Sequence, residues 1–277
     1  GSKDKTVEII RHYQKKYGGI KFMVEKGGIA HGRNTGIEVA RHDIIATTDA
    51  GCVPHQDWLE RITAPFKHAN VGLVAGFYDM PVKTPMQKAV SVFLGIPAER
   101  YDPATFLPST RSMAFKKHLW ERVGGFNERL DKAGEDTQFF YNIVKTGTKI
   151  IRVGEARVDW KEFENISFKE AMRKFFNYAK GDAKSKIWWH PTKKLMSHNI
   201  KVVFIFIRYL FGLFLLFQSI MNPPLFRLLE ILVVLYIFWP IWKWRDVIYD
   251  LRTKLWLPVI QISSDFAVMS GFLYGLL

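Results

Sequence analysis

The chain has 277 residues, 48% of them apolar, which is enough to bury a full core in one large domain or two small ones. Its 40 basic and 26 acidic residues give a net charge of +14, but the basic groups cluster beside long apolar runs, an arrangement that argues against a nucleic-acid-binding module. A single cysteine, Cys52, excludes an internal disulfide and fits a reducing compartment, and the polar start of the chain predicts no signal peptide.

Residues 6–17 place Val7, Ile10 and Tyr13 at helical spacing behind Asp4 as N-cap and predict a helix. Residues 20–24 read as a short strand, 34–40 as a helix, and 43–48 as a buried strand ending in Asp49. A helix over 58–66 follows the turn at Pro54, and 71–77 read as a further strand. Residues 79–108, punctuated by Pro81, Pro85, Pro97, Pro103 and Pro108, predict a less regular insertion over the site. Another helix, 137–145, begins just after Gly134-Glu135-Asp136. This alternation predicts an α/β sheet with ligands at the carboxyl ends of its strands, without internal repeats.

The C-terminal quarter is different. Residues 202–221 hold one charge, Arg208, and at about 1.5 Å per residue span about 30 Å, the hydrocarbon thickness of a bilayer. Residues 225–242 read as a second span, with Arg227 and Glu230 near its start and Phe238 and Trp239 near its end. Residues 255–277 form a third apolar run containing Asp265; an aspartate at the bilayer centre costs roughly 2.5 to 3.5 kcal/mol, so this run either spans or lies in the interface. Between Lys161 and Lys201 there are ten Lys or Arg against four Asp or Glu, including Lys180, Lys184, Lys186, Lys193 and Lys194. Lys243, Arg245, Arg252 and Lys254 follow the second span. Both clusters on one side of a helical hairpin satisfy the positive-inside rule and predict that residues 1–201 face the cytoplasm. They also suit anionic lipid headgroups, the plainer alternative being a solvated basic face.

Several segments together resemble a known family. Gly1-Ser2-Lys3-Asp4-Lys5-Thr6, Ala30-His31-Gly32-Arg33-Asn34-Thr35-Gly36, Thr48-Asp49-Ala50-Gly51, Val123-Gly124-Gly125-Phe126-Asn127-Glu128 and Gly134-Glu135-Asp136 follow the order and spacing of family 2 glycosyltransferases. The resemblance extends over residues 1 to about 190. It implies a GT-A-like (Rossmann-like) nucleotide-sugar-binding domain over 1–190, followed by a membrane region of two or three apolar helices over 191–277. It also implies a nucleotide-diphosphate sugar as donor and inversion at the anomeric carbon. The first strand, first helix and second strand of that fold, about 30 to 40 residues, would precede Gly1, and they normally hold part of the nucleobase pocket.

The chemistry can be argued from the residues. A sugar nucleotide leaves as a diphosphate, and a divalent cation, Mg²⁺ or Mn²⁺, bound through one or two carboxylates stabilises the charge on the leaving oxygen. Asp49, at the end of an apolar strand, is placed for this; the alternative is a turn-capping aspartate. The family's usual Asp-x-Asp has Gly51 at its third position here, leaving His55 or a water for the vacant ligand place. Arg33 can pair with phosphate through its planar fork, or form a surface salt bridge. Arg33, Asn34, Asp49, Ala50 and Gly51 are accordingly the expected donor-binding residues.

Direct displacement needs a base on the acceptor hydroxyl, opposite the leaving group. Asp136 is expected in that role with Glu135 orienting the acceptor or a loop, unless both acids merely cap the helix they begin. Arg173, Lys174 and Lys180 lie in an aromatic and basic segment that resembles the one following the catalytic acid in membrane-bound members. They are expected to meet the diphosphate of donor or lipid acceptor, with Trp188 and Trp189 at the interface. Phe175, Phe176 and Tyr178 read more readily as core than as a sugar platform. The Gln-x-x-Arg-Trp of longer processive enzymes is absent, which weakens a polysaccharide-synthase reading. The expectation is therefore a membrane-anchored, cytoplasm-facing glycosyltransferase acting on a lipid-linked or membrane-proximal acceptor. The alternative is a catalytically silent membrane scaffold that keeps the fold.

Overall fold

The computed structural model describes residues 2, 4–68, 70–130, 132–189 and 197–277. Gly1, Lys3, Lys193 and Lys194, and the expected division between residues 190 and 191, lie outside those residues.

The chain opens with helices α1 (Thr6–Lys16) and α2 (Ile29–Glu38). Residues 20–24 are not a strand: they run largely exposed with no sheet partner among the described residues, tied by Gln14 Nε2 to the Ile20 carbonyl and by Lys21 Nζ to that of Val39. α2 begins earlier than the apolar spacing predicts and takes Arg33 and Asn34 into its middle turn.

Five strands follow: β1 (Ile44–Thr47), β2 (Cys52–Pro54), β3 (Val71–Asp79), β4 (Met113–Lys116) and β5 (Lys149–Trp160), in the order β1-β4-β3-β5-β2. Only β3 and β5 run parallel; the other three pairings are antiparallel. Central β3, with eight consecutive buried residues, has the continuous apolar run of a strand covered on both faces. β1 is an edge strand rather than a buried one: it pairs on one side only, and of its residues Ile45 alone is buried. A cleft of about 1080 Å³ lies along β1, α2 and residues 18–28.

Helices α3 (Trp58–Thr63), α4 (Pro85–Leu94), α5 (Lys117–Val123) and α6 (Glu135–Lys145) flank the sheet. α4 corrects the expectation of an irregular 79–108: Pro85 starts a helix instead of breaking one. Its missing N–H falls where helices leave donors unsatisfied, and Thr84 with Gln87 closes a capping box. Beneath the sheet, Phe126 stacks on Phe139 at 4.2 Å between ring centroids, with Phe115 at 5.1 Å from Phe139.

α7 (Phe168–Ser185) leaves the sheet and packs along α10 (Leu251–Leu276), which also lies on α4. The core that holds Phe77 and Phe115 therefore continues into Trp244, Ile248, Leu257 and Ile260. α8 (His198–Ser219), α9 (Pro223–Lys243) and α10 are each long and apolar enough to cross a membrane. Most of α8 and α9 is uncovered by protein, as apolar helices in lipid would be. At mid-length they share one polar cluster. Arg208 of α8 pairs with Asp265 of α10, whose carboxylate also accepts hydrogen bonds from Tyr236 of α9 and from Tyr209 at 3.3 Å.

The loop between α9 and α10 is docked on the sheet domain. Arg100 pairs with Asp246 and stacks on Trp244 at 4.2 Å, and Lys88 Nζ lies 3.3 Å from Asp250 Oδ2.

Candidate active site

β1 ends in a tight turn at Asp49, closed by the Cys52 amide donating to the Asp49 carbonyl at 3.0 Å. Gly51 sits in this turn at φ +88°, a conformation glycine adopts freely and other residues only under strain. The turn leaves Ala50 and Gly51 exposed and Asp49 half-buried.

A second turn comes from the other side of the sheet. Gly124 and Gly125 close α5 in a Schellman cap, the Gly125 amide donating to Trp120 O at 2.9 Å and Gly124 to Glu121 O at 3.1 Å. The side chain of Asn34 holds the chain beyond it. Its amide donates to Phe126 O at 2.8 Å and Glu128 Oε1 at 2.9 Å, and its oxygen accepts from the Phe126 amide and Trp120 Nε1. Its hydrogen-bonding capacity is used within the fold, and it positions this turn.

Gly134, at φ +88°, precedes α6, and a Cβ there would come within 3.1 Å of the Gly181 backbone in α7. This close approach fixes Glu135 and Asp136 at the first two positions of α6, against α7. Helix-terminal placement favours both charges. The two acids then diverge. Glu135 is buried, its Oε1 accepting from Arg33 Nη1, while its Oε2 is buried without a hydrogen-bond partner. Burial first, and then neighbouring Asp136, push the Glu135 carboxyl above the ordinary glutamate range, with Arg33 acting against both. Asp136 is half-buried and, among the described residues, accepts only the adjacent Thr137 amide at 2.8 Å.

Arg33 joins the two turns. Its Nη2 donates to Asp49 Oδ1 at 2.6 Å while Nη1 holds Glu135, and the guanidinium lies 5.6 Å from the Phe126 ring centroid. It is not a surface salt bridge, since two carboxylates share its fork and 17% of its side chain is exposed.

The sequence reading missed Arg111, just ahead of β4. Its guanidinium stacks on Trp160 at 3.6 Å from the ring centroid and donates to Tyr178 Oη at 3.0 Å. Burial works against its charge, but Tyr178, Tyr78, Asp136 and Asp49 outweigh it, so Arg111 stays protonated between the two carboxylate positions. The preceding Thr110 reaches Asp49 Oδ2 at 3.4 Å.

The three basic residues expected on the 173–182 segment disperse around α7. Lys174 pairs with Glu162 at 2.7 Å and lies 5.3 Å from the Trp160 centroid, beside Arg111. Lys180 lies over Tyr274 of α10 at 4.5 Å, on the face turned to the apolar helices, and Arg173 is exposed. Phe175 is core, as expected, whereas Tyr178 reaches the site. Trp188 packs edge-on to Phe272, and Trp189 is exposed.

His55 does not complete a ligand set with Asp49. Its Nε2 contacts Asp159 Oδ1 at 3.1 Å, and with Asp79 these form a group whose ligand atoms lie within 4.8 Å of one another. A cation can be held there, although Asp79 already faces Arg157 at 2.9 Å and Asp159 faces Lys161 at 3.2 Å. At Asp49 the ligand chemistry fits a divalent ion held by one protein carboxylate. Oδ2 has only the long Thr110 contact, the side chain is 28% exposed, and such ions commonly complete their shell with phosphate and water.

Residues 1–122 match the sequence profile described as Glycosyl transferase family 2. A stretch of 148 residues is 32% identical to Glycosyltransferase AglE of Haloferax volcanii, covering 49% of this chain and 46% of that protein. The chain thus spans about half the length of this curated relative. Among solved structures, the mannosyltransferase PcManGT from Pyrobaculum calidifontis in complex with GDP-Man and Mn²⁺ is similar over 67% of this chain and 51% of that chain. Its identity is 21% and its TM-score 0.48. GalNAc-T7 with UDP, GalNAc and Mn²⁺ is similar over 68% of this chain and 40% of that chain, at 15% identity and a TM-score of 0.46. Similarities this distant assign no role to any residue here.

Proposed function

We propose, from the match of residues 1–122 to the Glycosyl transferase family 2 profile, that this chain moves a sugar from a nucleotide-diphosphate donor to a hydroxyl on a lipid-linked or membrane-proximal acceptor. The observation that carries the reading is the single guanidinium of Arg33 shared by Asp49 and Glu135, which brings the turn after β1 and the start of α6 together. Asp49 would hold a divalent cation, Mg²⁺ or Mn²⁺, through Oδ2, and the exposed Ala50 and Gly51 backbone would border the donor diphosphate. The cation would supply charge stabilisation at the leaving oxygen.

Asp136 is the group for the acceptor proton. It is partly open, has no ion pair among the described residues and stands beside the Arg33 carboxylate bridge. A base on the face opposite the leaving group is what inversion requires. Glu135, buried and held by Arg33, would position rather than transfer a proton.

α8, α9 and α10 would anchor the site at a membrane. The docking of the α9–α10 loop through Arg100 and Lys88 puts the basic residues Lys243, Arg245, Arg252 and Lys254 on the same side as the sheet domain, and the positive-inside rule makes that side cytoplasmic.

The test is release of nucleoside diphosphate by the purified chain with Mn²⁺ and a panel of nucleotide sugars, in the presence of a membrane lipid extract. Release that depends on Asp49 and Asp136 supports the reading. A chain that binds Mn²⁺ and nucleotide sugar but releases nothing would favour a silent scaffold.

A further inference from the structure

Two arginines stand near Asp49, and they are engaged very differently. Arg33 donates to two carboxylates, so its charge is already balanced inside the protein. Arg111 donates one hydrogen bond, to the Tyr178 hydroxyl, and its other N–H groups meet no acceptor among the described residues. Stacking on Trp160 at 3.6 Å fixes the plane of its fork. A planar fork held in place, with donors to spare, matches the paired oxygens of a phosphate.

The surroundings support an anion. Lys174 lies by the same indole, 5.3 Å from its centroid and 5.8 Å from that of Tyr178, with its charge shared with Glu162 at 2.7 Å. Arg111 also follows Thr110, which touches Asp49, and its charge is felt by both Asp49 and Asp136. A phosphate on Arg111 would therefore lie on a guanidinium next in sequence to the Thr110 that touches Asp49.

Resting on the sugar-transfer reading above, we infer that Arg111, held by Trp160 and Tyr178, is a phosphate-binding subsite beside Asp49. A phosphate in that place has two sources: the diphosphate of the donor, or a phosphate carried by a lipid acceptor arriving along α7 and α10. The chemistry recognised is the same.

Calorimetry on the full chain in neutral detergent separates the sources with two probes, inorganic pyrophosphate with Mg²⁺ and farnesyl phosphate. Arg111→Met should weaken one probe by about tenfold or more, the scale of a lost charge-assisted hydrogen bond pair. Arg111→Lys, which keeps the charge but not the fork, should fall between, and its retained binding rules out simple misfolding. Loss confined to pyrophosphate assigns the donor diphosphate; loss confined to farnesyl phosphate assigns a lipid phosphate. Equal affinities in wild type and Arg111→Met overturn the inference and leave sugar transfer standing. A wild-type chain that binds neither probe contradicts the subsite and the donor assignment together.

Discussion

Arg33 Nη2 donates to Asp49 Oδ1 at 2.6 Å while the same guanidinium holds Glu135, so a residue of α2 bridges the end of β1 and the start of α6. The bridge is largely enclosed, with 17% of the Arg33 and 6% of the Glu135 side chain exposed. Breaking a buried pair from one side leaves the other charge uncompensated, at a cost of about 3 kcal/mol.

The pH dependence of that cost has a definite sign. The Glu135 pKa is raised in the folded chain, first by burial, so folded Glu135 binds protons more tightly than unfolded. Its contribution is fully present below the unfolded value and is lost as pH rises through the folded one. Arg33 is the group holding that value down. Arg33→Met should lower the thermal midpoint more at pH 7 than at pH 5, measured by circular dichroism in detergent. A deficit independent of pH would argue against an ionised Glu135 behind the bridge.

Gly51 sets two effects against each other. Gly51→Asp adds a carboxylate at the spacing of Asp-x-Asp, but φ +88° should cost the fold about 1 kcal/mol, with no steric clash because nothing lies within 4 Å of a Cβ there. Tighter Mn²⁺ binding together with a lower thermal midpoint is expected, and Asp49→Ala should weaken Mn²⁺ binding. Electron paramagnetic resonance of free Mn²⁺ reads the binding directly; indifference to both changes would move the metal away from Asp49.

How much of this could be read from the chain differs by element. The apolar helices, β3, and the sites at Asp49 and Asp136 carry signals within a few residues: unbroken apolar runs, and acids next to glycines. Residues 20–24 have strand composition but no neighbour to pair with, and pairing is a tertiary property. Pro85 was legible only together with Thr84 and Gln87, whose capping box turns an apparent breaker into a helix start. Arg111 carried no local signal beyond small polar neighbours at the head of a strand, because the Trp160 and Tyr178 that define it come from β5 and α7. Asn34 lies within a recognisable motif, yet its task is set by the distant turn at Phe126.

In the helical region, Arg208 and Asp265 lie near the middle of their helices and are bonded to each other. Removing either partner alone should destabilise the three-helix unit by roughly 2.5 to 3.5 kcal/mol, the cost of a charge at the bilayer centre. The double change Arg208→Leu with Asp265→Leu should recover much of that loss. Resistance to unfolding in mixed micelles measures it, and a double variant no better than either single one would mean the pair is not coupled.

Topology has its own check. With Cys52 replaced, cysteines at the exposed Asn222 and Tyr249 report the two ends of α9. Cys52 itself is a weak background label, since burial, then Asp49, pushes its thiol up to about 11. On intact cells a membrane-impermeant thiol reagent should label Asn222→Cys and spare Tyr249→Cys. The reverse pattern would put the sheet domain outside.

The proposed abstraction of the acceptor proton by Asp136 can be tested directly. Asp136→Asn keeps the shape and the hydrogen bond to the Thr137 amide but cannot take a proton. Turnover of nucleotide sugar should fall by about 10² to 10⁴ while donor affinity, measured by calorimetry, stays within a small factor of wild type. Turnover unchanged in Asp136→Asn, with donor still bound, would contradict the assignment of Asp136 as the base.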